Sequence, residues 1–314
     1  MLTDEIWGIT TYFNPARYHS KKENYIKFRT HSKRQGLKLL CVELAFYNES
    51  FELDEKDADI LIKVNSKDIM WQKERLLNIG FSHLPKECTK IIWIDCDIIF
   101  YNDNWVYETK ELLDEYCIVQ PFKDSYKLKK DEVPPVDLLH ISIGGNNGEQ
   151  LPSFASVINE DGFSPSVYCG HKGFCWAGRR SIFDEIGFYD AAILGEGDSI
   201  MSHAFLGVDV PGYTENLPAK FRKHQFQWME KAYQLVQGSL FFTNGTIYHL
   251  YHGEMKDRIY RQKCVQYNIA DFDPDEDIKI NQETKTWEWN SNKTDFHKFL
   301  EEYFYIRKED GNES

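Results

Sequence analysis

The sequence predicts an α/β protein built on a mostly parallel central sheet. Short apolar segments alternate with polar, helix-like segments through the first third of the chain, as strands joined by crossover helices do. The segment KIIWIDCDII (90–99) is almost wholly apolar, which is typical of a strand with both faces covered. With 314 residues, 42% of them hydrophobic, the chain can form one large domain or two modest ones.

Each element follows from its local pattern. Clusters of β-branched and aromatic residues predict strands at 6–13, 37–44, 58–64 and 90–99. Polar or amphipathic periodicity predicts helices at 19–35, 66–84, 180–187, 197–206, 254–266 and 294–310. The segment 123–165 is richer in Pro, Gly and Asn, so we expect loops there, or an irregular hairpin. Such a segment could form part of a lid over the substrate.

Composition narrows the classes of function. A formal net charge of −13 repels phosphate backbones and anionic lipid, so nucleic acid and membrane surfaces are poor candidates for partners. The acidic charge does not exclude a small anionic ligand, because a bound metal ion can reverse the sign of the electrostatic potential at its site. Seven cysteines without CxxC spacing predict reduced, buried thiols. With no signal-like N-terminus and no long apolar run, we expect a cytoplasmic protein without a membrane span, of bacterial or viral origin.

Two carboxylates, Asp95 and Asp97, stand within the apolar segment 90–99. Burying them unpaired would be costly, so the strand should end at about Ile94 and leave both at its carboxyl end. Ligand sites of open α/β sheets collect at that edge, and paired carboxylates suit Mg²⁺ or Mn²⁺. For a DxD pair alone, an equally good alternative is one solvated aspartate and one helix cap.

Two families place DxD after an apolar strand, and the neighbouring motifs favour one of them. Haloacid-dehalogenase-like phosphatases need Thr or Val two residues after the second Asp, where this chain has Ile99. Four blocks, in order, are LLNIGF (76–81), WIDCD (93–97), GFYD with GEGD (187–198) and YHLYHG (248–253). Together they resemble the β-1,4-galactosyltransferase and chondroitin-polymerase-like group of nucleotide-sugar glycosyltransferases, which have the GT-A fold.

The resemblance implies roles for individual residues. The predicted metal ligands are Asp95, Asp97, His249 and His252, with Asp95 also contacting the donor, and with His249 standing where the family has Met. The predicted nucleotide contacts are Thr10, Thr11, Tyr12, Arg75 and Asn78. For Arg75, a position on a solvent-exposed helix face is an equally good alternative. The family's adjacent Glu-Asp pair appears here as Glu196-Gly-Asp198, so either acid could be the general base; we favour Asp198.

The resulting hypothesis is a GT-A catalytic domain over residues 1–265, Rossmann-like, with a C-terminal helical extension over 266–314 packed on it. It would use Mn²⁺ or Mg²⁺ to move a hexose or N-acetylhexosamine from a UDP-sugar to a hydroxyl of a glycan or another acceptor, with inversion. A DxD-dependent nucleotidyltransferase or phosphatase is the alternative enzyme, and an inactive carbohydrate-binding protein is the alternative of another class. The sequence leaves donor sugar, acceptor, linkage and oligomeric state open.

Overall fold

The computed structural model describes residues 4–47, 49–134, 150–164, 170–210 and 216–311, with only the backbone at residues 260 and 261. Its strands are β1 (Glu5–Phe13), β2 (Leu39–Phe46), β3 (Ile60–Ser66), β4 (Cys88–Ile94), β5 (Ile98–Phe100), β6 (Ile118–Gln120), β7 (Asp124–Lys127), β8 (Gln150–Pro152), β9 (Cys175–Arg179), β10 (Leu240–Phe242), β11 (Thr246–His249), β12 (Ile278–Ile280) and β13 (Trp287–Trp289).

The helices separate and flank these strands. They are α1 (His19–Arg34), α2 (Lys73–Ser82), α3 (Trp105–Glu115), α4 (Phe154–Asp161), α5 (Arg180–Ile186), α6 (Gly197–Leu206), α7 (Ala219–Val236), α8 (Tyr260–Ile269), α9 (Pro274–Asp277) and α10 (Thr294–Ile306). Two 3₁₀ turns lie at Glu55–Asp57 and Met255–Arg258.

Seven strands form the central sheet in the order β10-β6-β9-β4-β1-β2-β3. Its pairs are parallel except for those of β9, which runs antiparallel to β4 and β6. The predicted α/β class, with a mostly parallel sheet flanked by helices, is therefore confirmed. Residues of β2 are buried on both faces, as an apolar central strand requires.

Several predicted boundaries differ from the structure. The segment 90–99 is two strands, because the chain turns after Ile94 and β5 joins a second sheet with β11, β7 and β8. The helix predicted at 66–84 begins only at Lys73. The longest helix, α7, was not predicted, although its buried residues recur at the helical spacing of three or four: Phe221, Gln225, Met229, Ala232 and Val236.

The C-terminal segment packs into the same core as the first strand. Phe296, Leu300 and Phe304 of α10 belong to the main hydrophobic cluster. The ring of Phe304 lies 6.0 Å from Phe13 of β1 and 6.2 Å from Trp71. After α10 the chain runs beside the start of α1, so these last residues lie next to the carboxyl end of the sheet. Among the described helices, none is long and apolar enough to cross a bilayer.

Candidate active site

The turn between β4 and β5 carries Asp95 and Asp97 at the carboxyl end of the central sheet, where the sequence predicted them. The Asp95 N–H donates to the Phe174 carbonyl at 2.7 Å, and the Leu250 N–H donates to the Asp97 carbonyl at 2.8 Å. These bonds fix the turn against the chain before β9 and the chain after β11. A cleft opens here, between the sheet edge, the start of α6 and the end of α10.

Three of the predicted metal ligands lie together in this cleft. Nδ1 of His252 is 2.8 Å from Oδ2 of Asp97, and Nε2 of His249 is 3.6 Å from the same oxygen. One ligand atom from each residue can be chosen so that all lie within 4.8 Å of one another. Ligand atoms held about 2.0–2.2 Å from a divalent ion are at most about 4.4 Å apart, so only small side-chain adjustments separate this cluster from a coordination shell.

The chemistry of these donors also fits a cation. Oδ1 of Asp97 is buried and has no hydrogen-bond partner among the described residues, which is costly for a carboxylate unless a ligand completes it. Burial lowers the pKa of His252 to about 3, and the charges of Arg258 and His249 act in the same direction. The imidazole is therefore neutral near pH 7. Neutral imidazole with carboxylate suits Mn²⁺ and other borderline divalent ions.

Lys73, the first residue of α2, is buried and contacts two carboxylates. Its Nζ lies 2.6 Å from Oδ1 of Asp95 and 3.0 Å from Oδ2 of Asp198. Burial lowers the pKa of Lys73, but the charges of Asp198 and Asp95 outweigh that effect and raise it well above its ordinary value. Lys73 is thus a permanent ammonium group between the two acids. Asp95 turns toward it rather than joining the Asp97 cluster, so its role as a metal ligand stays a prediction.

The two acids considered as general base have different surroundings. Asp198 lies in the first turn of α6 and lines the cleft. Glu196 is the residue before α6; its Oε1 lies 3.5 Å from Nζ of Lys263, and its Oε2 accepts a hydrogen bond from the Tyr267 hydroxyl at 3.4 Å. Glu196 is not among the residues that line the cleft in the described part of the chain.

A third carboxyl group, Glu74, lies beneath the start of α6. A methyl group added at Gly197 would come within 2.2 Å of Oε1 of Glu74. Burial raises the pKa of Glu74 to about 8, Asp198 and Asp95 contribute in the same direction, and Lys73 opposes them. The Glu74 carboxyl therefore occupies the space that a side chain at position 197 would fill, and it holds a proton at neutral pH.

Of the predicted nucleoside contacts on β1, one faces the cleft. Thr11 lines it, whereas Thr10 is buried and donates from Oγ1 to the Ile94 carbonyl at 2.7 Å. The Tyr12 hydroxyl points to the other side of the sheet and donates to Glu52 at 2.8 Å. Thr11 differs from Thr10 and Tyr12 because successive side chains of a strand point to opposite faces of the sheet.

Arg75 and Asn78 form a separate network away from the cleft. Nη1 of Arg75 lies 2.9 Å from Oδ2 of Asp190, and Nδ2 of Asn78 donates to the same oxygen at 2.8 Å. Asn78 also accepts the Phe188 N–H at 2.8 Å. These bonds fasten α2 to the chain between α5 and α6. The structure does not bring Arg75 or Asn78 together with the two aspartates of the turn, and their predicted nucleotide contacts remain untested.

Comparison with known proteins gives a fold likeness without a family assignment. No protein-family model and no curated protein matches the chain. Solved structures of glycosyltransferases are among the matches. The catalytic domain of Drosophila β1,4-galactosyltransferase 7 with xylobiose is 15% identical, with a TM-score of 0.29 over 60% of this chain and 55% of that one. S. aureus TarS is 11% identical, with a TM-score of 0.41 over 85% and 64%.

The similar structures also include a different class of enzyme. A putative glucose-1-phosphate thymidylyltransferase from Bacillus anthracis is 9% identical, with a TM-score of 0.38 over 77% of this chain and 89% of that one. The chain spans less than two thirds of the two glycosyltransferase structures described above. At these identities the likeness concerns the fold alone.

Proposed function

We propose that the chain is a divalent-metal-dependent glycosyltransferase that moves a hexose or N-acetylhexosamine from a UDP-sugar to a hydroxyl acceptor. The observation that carries the proposal is the convergence of Asp97, His249 and His252 in a cleft that also holds Asp95 and Asp198. One group of side chains can hold a cation, and a separate carboxylate stands beside it to accept a proton. Transfer of a sugar from a diphosphate to a hydroxyl needs both functions.

Each side chain has a part in this mechanism. Asp97, His249 and His252 would hold Mn²⁺ or Mg²⁺, which supplies the charge that stabilises a departing diphosphate. Asp198, in the first turn of α6, would accept the proton of the acceptor hydroxyl. Lys73 would orient Asp198 and Asp95 toward the cleft. Attack on the face opposite the diphosphate would give inversion, as the motif resemblance implies.

Binding of UDP with and without Mn²⁺ tests the proposal directly. We expect calorimetric titration to show UDP binding that depends on Mn²⁺ and is lost, by at least tenfold, in Asp97→Ala, because a metal ligand is removed. Asp103→Ala, at an exposed position outside the cleft, is the matched control and should bind normally. Hydrolysis of a series of UDP-sugars then identifies the donor. Metal-independent binding, or full binding by Asp97→Ala, would contradict the assignment.

A label in the donor separates the proposed transfer from the alternative chemistry. With a sugar-labelled UDP-hexose, a glycosyltransferase passes the label to the acceptor and releases unlabelled UDP. A nucleotidyltransferase would pass on the uridylyl group and leave the label in hexose 1-phosphate, and a phosphohydrolase that cleaves the diphosphate would give UMP and labelled hexose 1-phosphate. Appearance of the label in phosphate-containing products alone would count against sugar transfer.

A further inference from the structure

Many cationic side chains border the cleft, even though the formal net charge of the chain is −13. Three carboxylates line it, Asp95, Asp97 and Asp198, and six cationic side chains line it as well: Lys21, Lys73, Lys127, Arg258, Lys263 and Arg307. Cationic side chains that border a concave site attract anions to it.

Three of these cations meet at one buried carboxylate from the last residues of the chain. Oε1 of Glu309 lies 2.6 Å from Nε of Arg307 and 3.6 Å from Nη1 of Arg258, and Oε2 lies 3.7 Å from Nζ of Lys21. Burial raises the pKa of Glu309, but the charges of Lys21, Arg307 and Arg258 outweigh it, so the pKa lies well below its usual range. One carboxylate thus holds three cationic side chains together.

Arg307 is held rigidly at the cleft. Its guanidinium lies 5.1 Å from the centre of the Trp71 ring, and Nη1 donates to the Tyr303 hydroxyl at 3.3 Å. The contacts with Glu309 and Tyr303 engage two of the five N–H donors of the group. A planar guanidinium that is fixed in place and still borders a cleft is suited to bidentate recognition of phosphate.

The same segment abuts the chain that carries the histidine ligands. Arg258 donates a hydrogen bond to the His252 carbonyl. A methyl group added at Gly253, where φ is +94°, would lie 2.7 Å from the carbonyl oxygen of Arg307. Residues 307–309 and the 249–253 segment are therefore in direct contact, and Arg258 and Arg307 line the same cleft as the candidate metal cluster.

We propose that Tyr303, Arg307 and Glu309 of the C-terminal segment complete a phosphate-binding wall, in which Arg307 contacts the diphosphate of the ligand and Glu309 positions Arg307, Arg258 and Lys21. The inference rests on the proposed function, since it assigns a place to the diphosphate of the donor. It also makes the segment after residue 265, in which the sequence shows no motif, part of the binding site. Lys21 of α1 adds a cation from the other end of the sequence to the same cluster.

Inorganic pyrophosphate is the probe, because it has the phosphates without nucleoside or sugar. Calorimetric titration of the full chain with pyrophosphate, with and without Mn²⁺, compares Arg307→Gln with Lys308→Gln. Lys308 is exposed, carries the same charge and is adjacent in sequence, so its variant controls for net charge. We expect binding about ten- to a hundredfold weaker in Arg307→Gln, from loss of charged hydrogen bonds, and unchanged in Lys308→Gln.

A second pair of variants keeps the test decisive if Arg307→Gln does not fold. Lys21 is partly exposed on α1, and its neighbour Lys22 is exposed and outside the cleft. Lys21→Gln should weaken pyrophosphate binding several-fold, and Lys22→Gln should not. Circular dichroism establishes that each variant is folded. Equal binding within both pairs, or absence of pyrophosphate binding by the unaltered protein, would overturn the inference.

The outcomes distinguish this inference from the proposed function. Manganese-dependent UDP binding that Arg307→Gln and Lys21→Gln leave intact would overturn the wall and leave the glycosyltransferase proposal standing. Pyrophosphate binding that these variants lose, in a protein that transfers no sugar from any UDP-sugar, would support the wall and count against the proposed function.

Discussion

At the scale of single residues, the position of Lys73 shapes the proposed chemistry. A buried ammonium lies between Asp95 and Asp198 and holds the two acids at a fixed separation. A charged base that is positioned before the substrate arrives loses less entropy in the reaction.

Asp198→Asn tests the base without changing shape. The amide cannot accept a proton, so we expect the transfer rate to fall about a hundredfold or more while Mn²⁺-dependent UDP binding stays within about threefold. Glu196→Gln is the companion variant, because Glu196 contacts Lys263 and Tyr267 and is outside the cleft lining. It should retain more activity than Asp198→Asn. Loss of UDP binding in Asp198→Asn, or a larger loss of transfer in Glu196→Gln, would reject Asp198 as the base.

At the scale of elements, three consecutive side chains of α2 lie in three different environments. Lys73 enters the cleft, Glu74 lies under α6, and Arg75 binds Asp190. Successive residues of a helix are about 100° apart, so the start of the helix and its phase against the sheet decide which one reaches the site. Motif resemblance indicated the helix correctly. It could not give the phase, so it could not tell which of these three side chains reaches the cleft.

The contact between α2 and α6 makes a stability prediction at Gly197. Gly197→Ala would push a methyl group into the Glu74 carboxyl, and we expect it to destabilise the fold by about 1–3 kcal/mol. Chemical denaturation of the single and double variants measures this. In a Glu74→Ala background the same substitution should cost less than about 1 kcal/mol, because the obstructing group is gone. Additive effects of the two substitutions would show that the groups do not compete for space.

At the scale of the whole molecule, the features that depend on local sequence patterns could be predicted, and those that depend on contacts between distant residues could not. The sheet and the aspartate turn after Ile94 follow from short-range patterns, and the structure has them. The pair His249 and His252 was indicated by the motif resemblance, and the structure places it beside Asp97. The wall formed by Arg307 and Glu309 could not be predicted. Its residues are almost 290 positions from Lys21, and nothing in a local pattern of Arg and Glu distinguishes a buried ion cluster from a solvated helix end.

Glu74 links the site to the stability of the whole molecule through pH. Its pKa is about 8 in the folded protein and near its ordinary value of 4.5 in the unfolded chain. The folded state therefore binds the proton more tightly, and this stabilisation is complete below about pH 4.5 and is lost as pH rises through about 8. Glu74→Gln keeps the shape and does not ionise. Relative to Glu74→Gln, the unaltered protein should lose on the order of a few kcal/mol of unfolding free energy between pH 5.5 and 8.5.

Urea denaturation of both proteins at pH 5.5, 7.0 and 8.5 measures this difference. Comparing the two proteins removes the contributions of other titrating groups that they share, provided those groups do not depend on Glu74. Glu23→Gln, at an exposed position on α1, should follow the unaltered protein at every pH. Parallel pH curves for Glu74→Gln and the unaltered protein would mean that Glu74 is already ionised beneath α6. The carboxyl would then be an extra negative charge beside Asp198, and Lys73 would have to balance three acids rather than two.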